Sequence, residues 1–137
     1  MRKVVFSIVS LSLFLLCACQ ADDSPTPSTS QMILGKWRLQ KAIDEYYHPV
    51  NVLLETENVD GEIGDSVIFK SNNEVYSYSL AHGEEVTTYE ILNDTTIKIE
   101  DELYKIRRLT NQELHLYMEE TDPVLDERYI QKLYFLR

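Results

Sequence analysis

Beyond about residue 31, apolar residues recur at every second position of this chain, in short runs separated by clusters of Asn, Asp and Gly. A period of two puts alternate side chains on opposite faces of an extended strand, whereas a helical face needs returns at three and four. The first run, residues 33–42, sets Ile33, Gly35, Trp37 and Leu39 against Lys36, Arg38 and Gln40. Val67 and Phe69 mark a second strand, followed by the turn Ser71-Asn72-Asn73-Glu74. The third, residues 75–80, sets Tyr76, Tyr78 and Leu80 opposite Val75, Ser77 and Ser79, and His82-Gly83-Glu84 turns the chain again. Tyr89 and Ile91 mark a fourth and Ile97 and Ile99 a fifth, with Asn93-Asp94-Thr95 as a tight turn between them. Residues 103–109, 113–118 and 128–137 supply three more. In the seventh, Leu114, Leu116 and Met118 are expected to face inward and Glu113, His115 and Tyr117 outward.

Eight short strands with hairpin-length links predict an all-β fold, an eight-stranded up-and-down antiparallel barrel, because closure removes exposed sheet edges. A β-sandwich satisfies the same alternation. Residues 43–65 fit no strand pattern and are expected to form a long lid or cap between the first two strands. Residues 31–34 have room for a short helical turn.

The start of the chain follows different rules. Arg2 and Lys3 precede an apolar run from Val4 to Leu16 that is broken only by Ser7, Ser10 and Ser12. A bilayer span needs roughly 20 apolar residues, so the run fits the core of a secretory signal peptide better. It ends in Leu16-Cys17-Ala18-Cys19, which resembles the lipobox of bacterial lipoproteins. That resemblance implies cleavage after residue 18 and acylation of Cys19, palmitate among the chains. Leu16 is too bulky to precede a cleavage site at Cys17. Each buried CH2 contributes about 0.8 kcal/mol, and two or more chains hold stably where one does not. Gln20-Ala21-Asp22-Asp23 then resembles the acidic surface-export signal on lipoproteins of one Gram-negative phylum. It implies an outer-membrane lipoprotein facing the cell exterior. The expected division is a signal peptide at 1–18, the lipidated cysteine and a flexible tether at 19–30, and one barrel domain at 31–137.

Charge and cysteine usage narrow the possible partners. Loss of Arg2 and Lys3 takes the formal charge from −10 to about −12, which repels nucleic-acid phosphates and argues against a DNA or RNA partner. Both cysteines, Cys17 and Cys19, lie in or at the end of the signal, so the core must stabilise the domain without a disulfide. Residues 21–30 hold no residue larger than alanine that could join a core and suit a tether that lifts the domain off the membrane.

Leu34-Gly35-Lys36-Trp37-Arg38-Leu39 resembles the Gly-x-Trp opening of lipocalins, at the start of the first strand, where that family has it. Tyr104-Lys105-Ile106, Leu109-Thr110, Glu113-Leu114-His115-Leu116 and the closing Phe135-Leu136-Arg137 resemble the small bacterial lipocalin-like lipoproteins. The resemblance covers residues 33–137. It implies that Trp37 closes one barrel end above Gly35, with Arg137 over its ring and Arg128 as the second choice, a cation–π contact worth about 0.5–2 kcal/mol. This chain is shorter than typical lipocalins and lacks their C-terminal helix, so their large cavity is not implied.

Other candidates are weaker. His48, His82 and His115 are scattered and no pair has metal-ligand spacing, so no metal or other cofactor is expected. Asp60-Gly61-Glu62-Ile63-Gly64-Asp65 departs from calcium-loop spacing and reads as a flexible acidic loop. No serine sits in Gly-x-Ser-x-Gly, and no catalytic residue stands out. Of nine tyrosines, Tyr76, Tyr78, Tyr89 and Tyr104 are candidates to line a cavity, with Tyr134 also on a strand; the same rings also suit a filled barrel. Asp65-Ser66-Val67 and Asp94-Thr95-Thr96 resemble short O-glycosylation sites, Thr95 being better placed, in a turn. The expected function is non-enzymatic binding of a small apolar or amphipathic ligand in the barrel mouth. The alternative is a protein or glycan interaction module with a filled barrel and contacting loops. Oligomeric state has no sequence signal. Cys19→Ala should release the protein from the membrane or block its maturation; a mutant that stays in the pellet after a high-salt wash would refute the anchor.

Overall fold

The computed structural model describes residues 26–137. They form one short helix, α1 (Thr29–Met32), and nine strands: β1 (Gly35–Tyr47), β2 (Leu53–Asp60), β3 (Ser66–Phe69), β4 (Glu74–Ser79), β5 (Gly83–Asn93), β6 (Thr96–Ile99), β7 (Glu102–Leu109), β8 (Glu113–Asp122) and β9 (Glu127–Leu136). Neighbours pair antiparallel in the order β2-β1-β3-β4-β5-β6-β7-β8-β9, and β1 also pairs with β9. That last ladder closes β1 and β3 to β9 into an eight-stranded up-and-down barrel. β2 is an extra strand, hydrogen-bonded to β1 alone.

Alternation decides what fills the barrel. On β8, Leu114, Leu116 and Met118 are buried as expected, between more exposed neighbours. They join Trp37, Phe69, Val75, Ile97 and Phe135 in one core cluster. An eight-stranded barrel is just wide enough for such side chains.

Residues 43–65 are not a lid. β1 continues to Tyr47, and β2 returns along it with Lys41 opposite Asp60 and Tyr46 opposite Glu55. β8 likewise runs on past its expected end at residue 118, pairing out to Asp122 opposite Glu127 of β9, which begins one residue before its expected start. β2 is exposed along its whole length and so are the last four residues of β8, so no apolar alternation marks these stretches; backbone pairing defines them instead. The helical turn expected at 31–34 is present as α1, slightly earlier.

The end of the barrel next to α1 is plugged. Trp37 is wholly buried and its indole Nε1 donates to Ile33 O (2.7 Å). The Arg137 guanidinium lies 4.3 Å from the ring centroid and donates to the carbonyls of Met32 (2.8 Å) and Leu34. Gly35 has φ +106°, and an added Cβ there would approach Arg137 Nη2. The last residue thus ties the last strand to the start of the first.

Gly61 makes a different close approach. A Cβ at this position would stand 2.1 Å from Leu39 O. The absence of a side chain lets Gly61 N donate to Gln40 O, while Leu39 N bonds Asp65 O (both 2.9 Å). β2 and β3 can therefore follow one edge of β1 in succession. The segment expected to be a flexible acidic loop is a bonded turn, in which Asp65 accepts from the N–H groups of Glu62 and Leu80.

Trp37→Ala should cost about 3–5 kcal/mol, since it empties the plug. Arg137→Ala, at an exposed site, should cost about 0.5–2 kcal/mol, and Gly61→Ala about 1–3 kcal/mol from overpacking against backbone. Urea melts check the order; a Trp37→Ala protein as stable as wild type would remove the plug from the account.

Candidate functional site

The two ends of the barrel differ. The α1 end is sealed by Trp37, while at the opposite end the β1–β2 and β8–β9 hairpins overhang and their tips meet, Val50 N donating to Asp126 Oδ1 (3.4 Å). An open pocket of about 530 Å³ lies there, lined by Tyr46, Tyr47, His48, Leu54, Glu120, Thr121, Asp122, Glu127, Arg128 and Tyr129. Tyr46 and Tyr129 face each other with ring centroids 5.0 Å apart.

Beneath this pocket the inner wall is polar. Register places Asp44 and Tyr46 on the face that carries Gln131 and Tyr129 of β9 and Met118 and Glu120 of β8. Tyr129 Oη donates to Asp44 Oδ1 (2.5 Å), and Gln131 Nε2 donates to the same oxygen (3.1 Å). Tyr104 Oη lies 2.6 Å from Glu102 Oε2 and 3.1 Å from Gln131 Oε1. Two hydrogen-bonded groups therefore floor the mouth, Tyr104 on Glu102 and Tyr129 with Gln131 on Asp44. Burial first, then donation to Glu102, pushes the Tyr104 hydroxyl well above the ordinary tyrosine value; Tyr129 is raised likewise by burial and by Asp44. Donors held against carboxylates make a rigid, orienting floor.

Charge divides by face. At the mouth the inner positions carry Asp44, Glu55, Glu57, Glu102, Glu120, Asp122 and Glu127 and neither Lys nor Arg. The bases of the same strands, Lys41, Arg128 and Lys132, are at outer positions. There Lys132 pairs with Glu45, holding that carboxyl below its usual value, and Arg128 stacks over Tyr47 (4.1 Å) and lies 3.8 Å from Glu119. Ile130 sits between these pairs and is 6% exposed.

The residues singled out from sequence fall in several places. Tyr104 is at the base of the mouth. Tyr89 is buried at the other end, edge-on to Phe69 (5.0 Å) with its hydroxyl on Lys70 O (2.8 Å). Tyr76 and Tyr78 do not face the barrel interior, because Val75 takes the inner position on β4 and parity turns them outward. Tyr76 instead carries Lys70 over its ring (3.7 Å), and Tyr134 meets His115 on the outside (4.9 Å). Arg128, the second choice over Trp37, is at the far end. Ser66 is 4% exposed with its hydroxyl on Gly64 O (3.1 Å), which closes it to glycosylation, whereas Thr95 is exposed in its turn. Cys19 and the tetrad Gln20, Ala21, Asp22 and Asp23 lie outside the described residues.

Asp44, Tyr46, Glu102, Tyr129 and Gln131 carry the mouth and were not singled out from the sequence. The available signal was Tyr129, Gln131, Leu133 and Phe135 alternating along one strand, polar toward one end and apolar toward the other. Among the described residues no three His, Cys, Asp or Glu side chains are grouped to hold a metal, and no helix is long and apolar enough to cross a membrane. Neither protein-family models nor curated proteins give a match to this chain.

The raised tyrosines set a sign for pH dependence. A hydroxyl whose pKa is higher folded than unfolded stabilises the fold below the unfolded value, near 10, and that stability is lost as pH rises beyond it. Tyr104 and Tyr129 should stay neutral in a spectrophotometric titration until the domain unfolds, and the melting temperature should fall above about pH 10. All nine tyrosines ionising together in a folded protein would contradict the network.

Proposed function

We propose that this chain is a lipid-anchored, cell-surface binding protein of lipocalin-like type that takes a small amphipathic ligand in the barrel mouth and catalyses no reaction. The pocket over the filled barrel carries this reading. Its volume falls in the roughly 300–1,000 Å³ of small-ligand sites, and it combines aromatic faces with fixed polar groups, as such sites do. The Tyr46 and Tyr129 rings offer stacking area and the hydroxyls and carboxylates orient a polar group. Asp44 and Glu102 both accept hydrogen bonds from tyrosine, which suits positioning better than proton transfer.

The anchor assigned to Cys19 gives the mouth a direction. The described chain begins beside the plugged end, where Thr29 Oγ1 donates to Asp94 Oδ1 (3.2 Å). At about 3.3 Å per residue, β1 alone spans roughly 40 Å. A short tether from that end holds the mouth away from the membrane, toward whatever arrives from outside.

The filled interior also supports a second reading, an interaction module whose hairpin tips contact a protein or glycan. Native mass spectrometry of the full chain purified from its own cells separates the two, because a retained small molecule is expected only of the first. Tyr46→Ala, at a partly exposed site, should cost one aromatic contact of about 0.5–1.5 kcal/mol, up to roughly tenfold in affinity, with the melting temperature unchanged. A pocket that emerges empty and takes up no amphipathic dye would favour the interaction module.

A further inference from the structure

β2 has an unused edge. All eight of its residues are exposed, and among the described residues its only sheet partner is β1. Gly61 N donates to Gln40 O, and hydrogen-bonded pairs alternate along an antiparallel ladder. Following the register from there, Val59, Glu57 and Glu55 direct their backbone groups to β1, and Thr56, Asn58 and Asp60 direct theirs outward. Edges of this kind are normally guarded by charged side chains, Pro, a bulge or brevity. β2 carries neither Lys nor Pro, and its register irregularity is confined to its start at Leu54. Its guards are the acids Glu55, Glu57 and Asp60, which a basic strand would neutralise.

The charges beside this edge select its occupant. Glu55 and Glu57 stand on the inner face next to Asp44, with no base on that face. A second copy of this chain, at formal charge −10, would bring the same two glutamates against its own. Such like-charge neighbours are destabilising across a sheet. A strand with basic side chains at every second position would set them against Glu55 and Glu57 while its backbone took up the outward groups of Thr56 and Asn58.

We propose that the outer edge of β2 receives an extended basic segment of another protein as an added strand, read by backbone pairing and by alternate cations. This edge borders the mouth pocket, which Leu54 helps to line, and the backbone-methylated peptide tests strand addition whatever occupies that pocket.

The probe is a fluorescein-labelled octapeptide of alternating lysine and threonine, titrated against the full chain in non-ionic detergent and followed by fluorescence anisotropy. Saturable binding is expected, weakened by salt as exposed charge pairs are. Methylating alternate backbone nitrogens of the peptide should weaken it at least about tenfold, since several hydrogen bonds of about 1 kcal/mol each are lost. Glu55→Gln with Glu57→Gln should weaken it while leaving the fold intact. Asn58→Pro removes an outward N–H and should abolish binding with an unchanged circular dichroism melt; if its melt falls, the methylated peptide on the wild-type chain decides. Equal binding of the methylated and parent peptides would overturn strand addition, leaving charge attraction alone. So would no saturable binding, or a dimer by light scattering that Asn58→Pro dissociates.

Discussion

The ladder between β1 and β9 is the constraint on which the rest of the molecule depends. It joins the first strand to the last, from Arg38 opposite Leu136 to Tyr47 opposite Arg128. Without it the strands would form an open sheet with two bare edges and an apolar face in water. With it, the buried cluster from Trp37 to Phe135 is enclosed. Such a contact between chain ends costs loop-closure entropy before it gives anything back. Arg137 reinforces the ladder at its terminus, covering the indole and satisfying the carbonyls at the end of α1. A guanidinium suits this place, because it can lie flat on an aromatic face while its edge still donates.

The same ladder separates the two ends. At the plugged end, β1 is flanked by β3 and β9, and the tube fills with apolar side chains. Past Leu39 the register against β9 shifts, Gly61 passes close over the backbone, and β2 takes the place of β3 beside β1. Because β2 pairs on one side only, the tube opens. Side chains on the inner wall then meet water, and the wall turns polar, with Tyr129 and Gln131 bonded to Asp44 and Tyr104 bonded to Glu102. On the outer face, Lys132 with Glu45 and Arg128 with Glu119 flank Ile130 with their long aliphatic stems. The mouth therefore has acids at its inner positions and bases at outer ones, from which Arg128 still borders the pocket. That arrangement exposes aromatic and carboxylate groups together, and it is the basis of the amphipathic ligand proposed above.

Much of the architecture was legible in the residues alone, because burial imposes a period of two. Leu114, Leu116 and Met118 announced the inner face of β8, and the turns around Asn72, Gly83 and Asp94 separated the strands by their backbone preferences. Gly35, Trp37 and Arg137 stand together at the plugged end, where local pattern and resemblance led one to look for them. The parity of β4 was not legible. Tyr76, Tyr78 and Leu80 looked no less apolar than Val75, Ser77 and Ser79, and only the pairing of Val75 with Phe69 decides which set enters the core.

What the sequence by itself determined is strand character, the number of barrel strands and the composition of the core, all of which follow from alternation and from the exclusion of water. The tertiary structure alone decided that residues 43–65 are paired strand and turn and not a lid, and that Asp44, Gln131 and Tyr129 share one hydrogen-bonded floor. The physical reason is that an overhanging strand is wet on both faces, so it leaves no apolar period to read. Its shape comes from backbone hydrogen bonds, which any residue but proline can donate, and the polar floor beside it joins Asp44 to Gln131, 87 residues away in the chain.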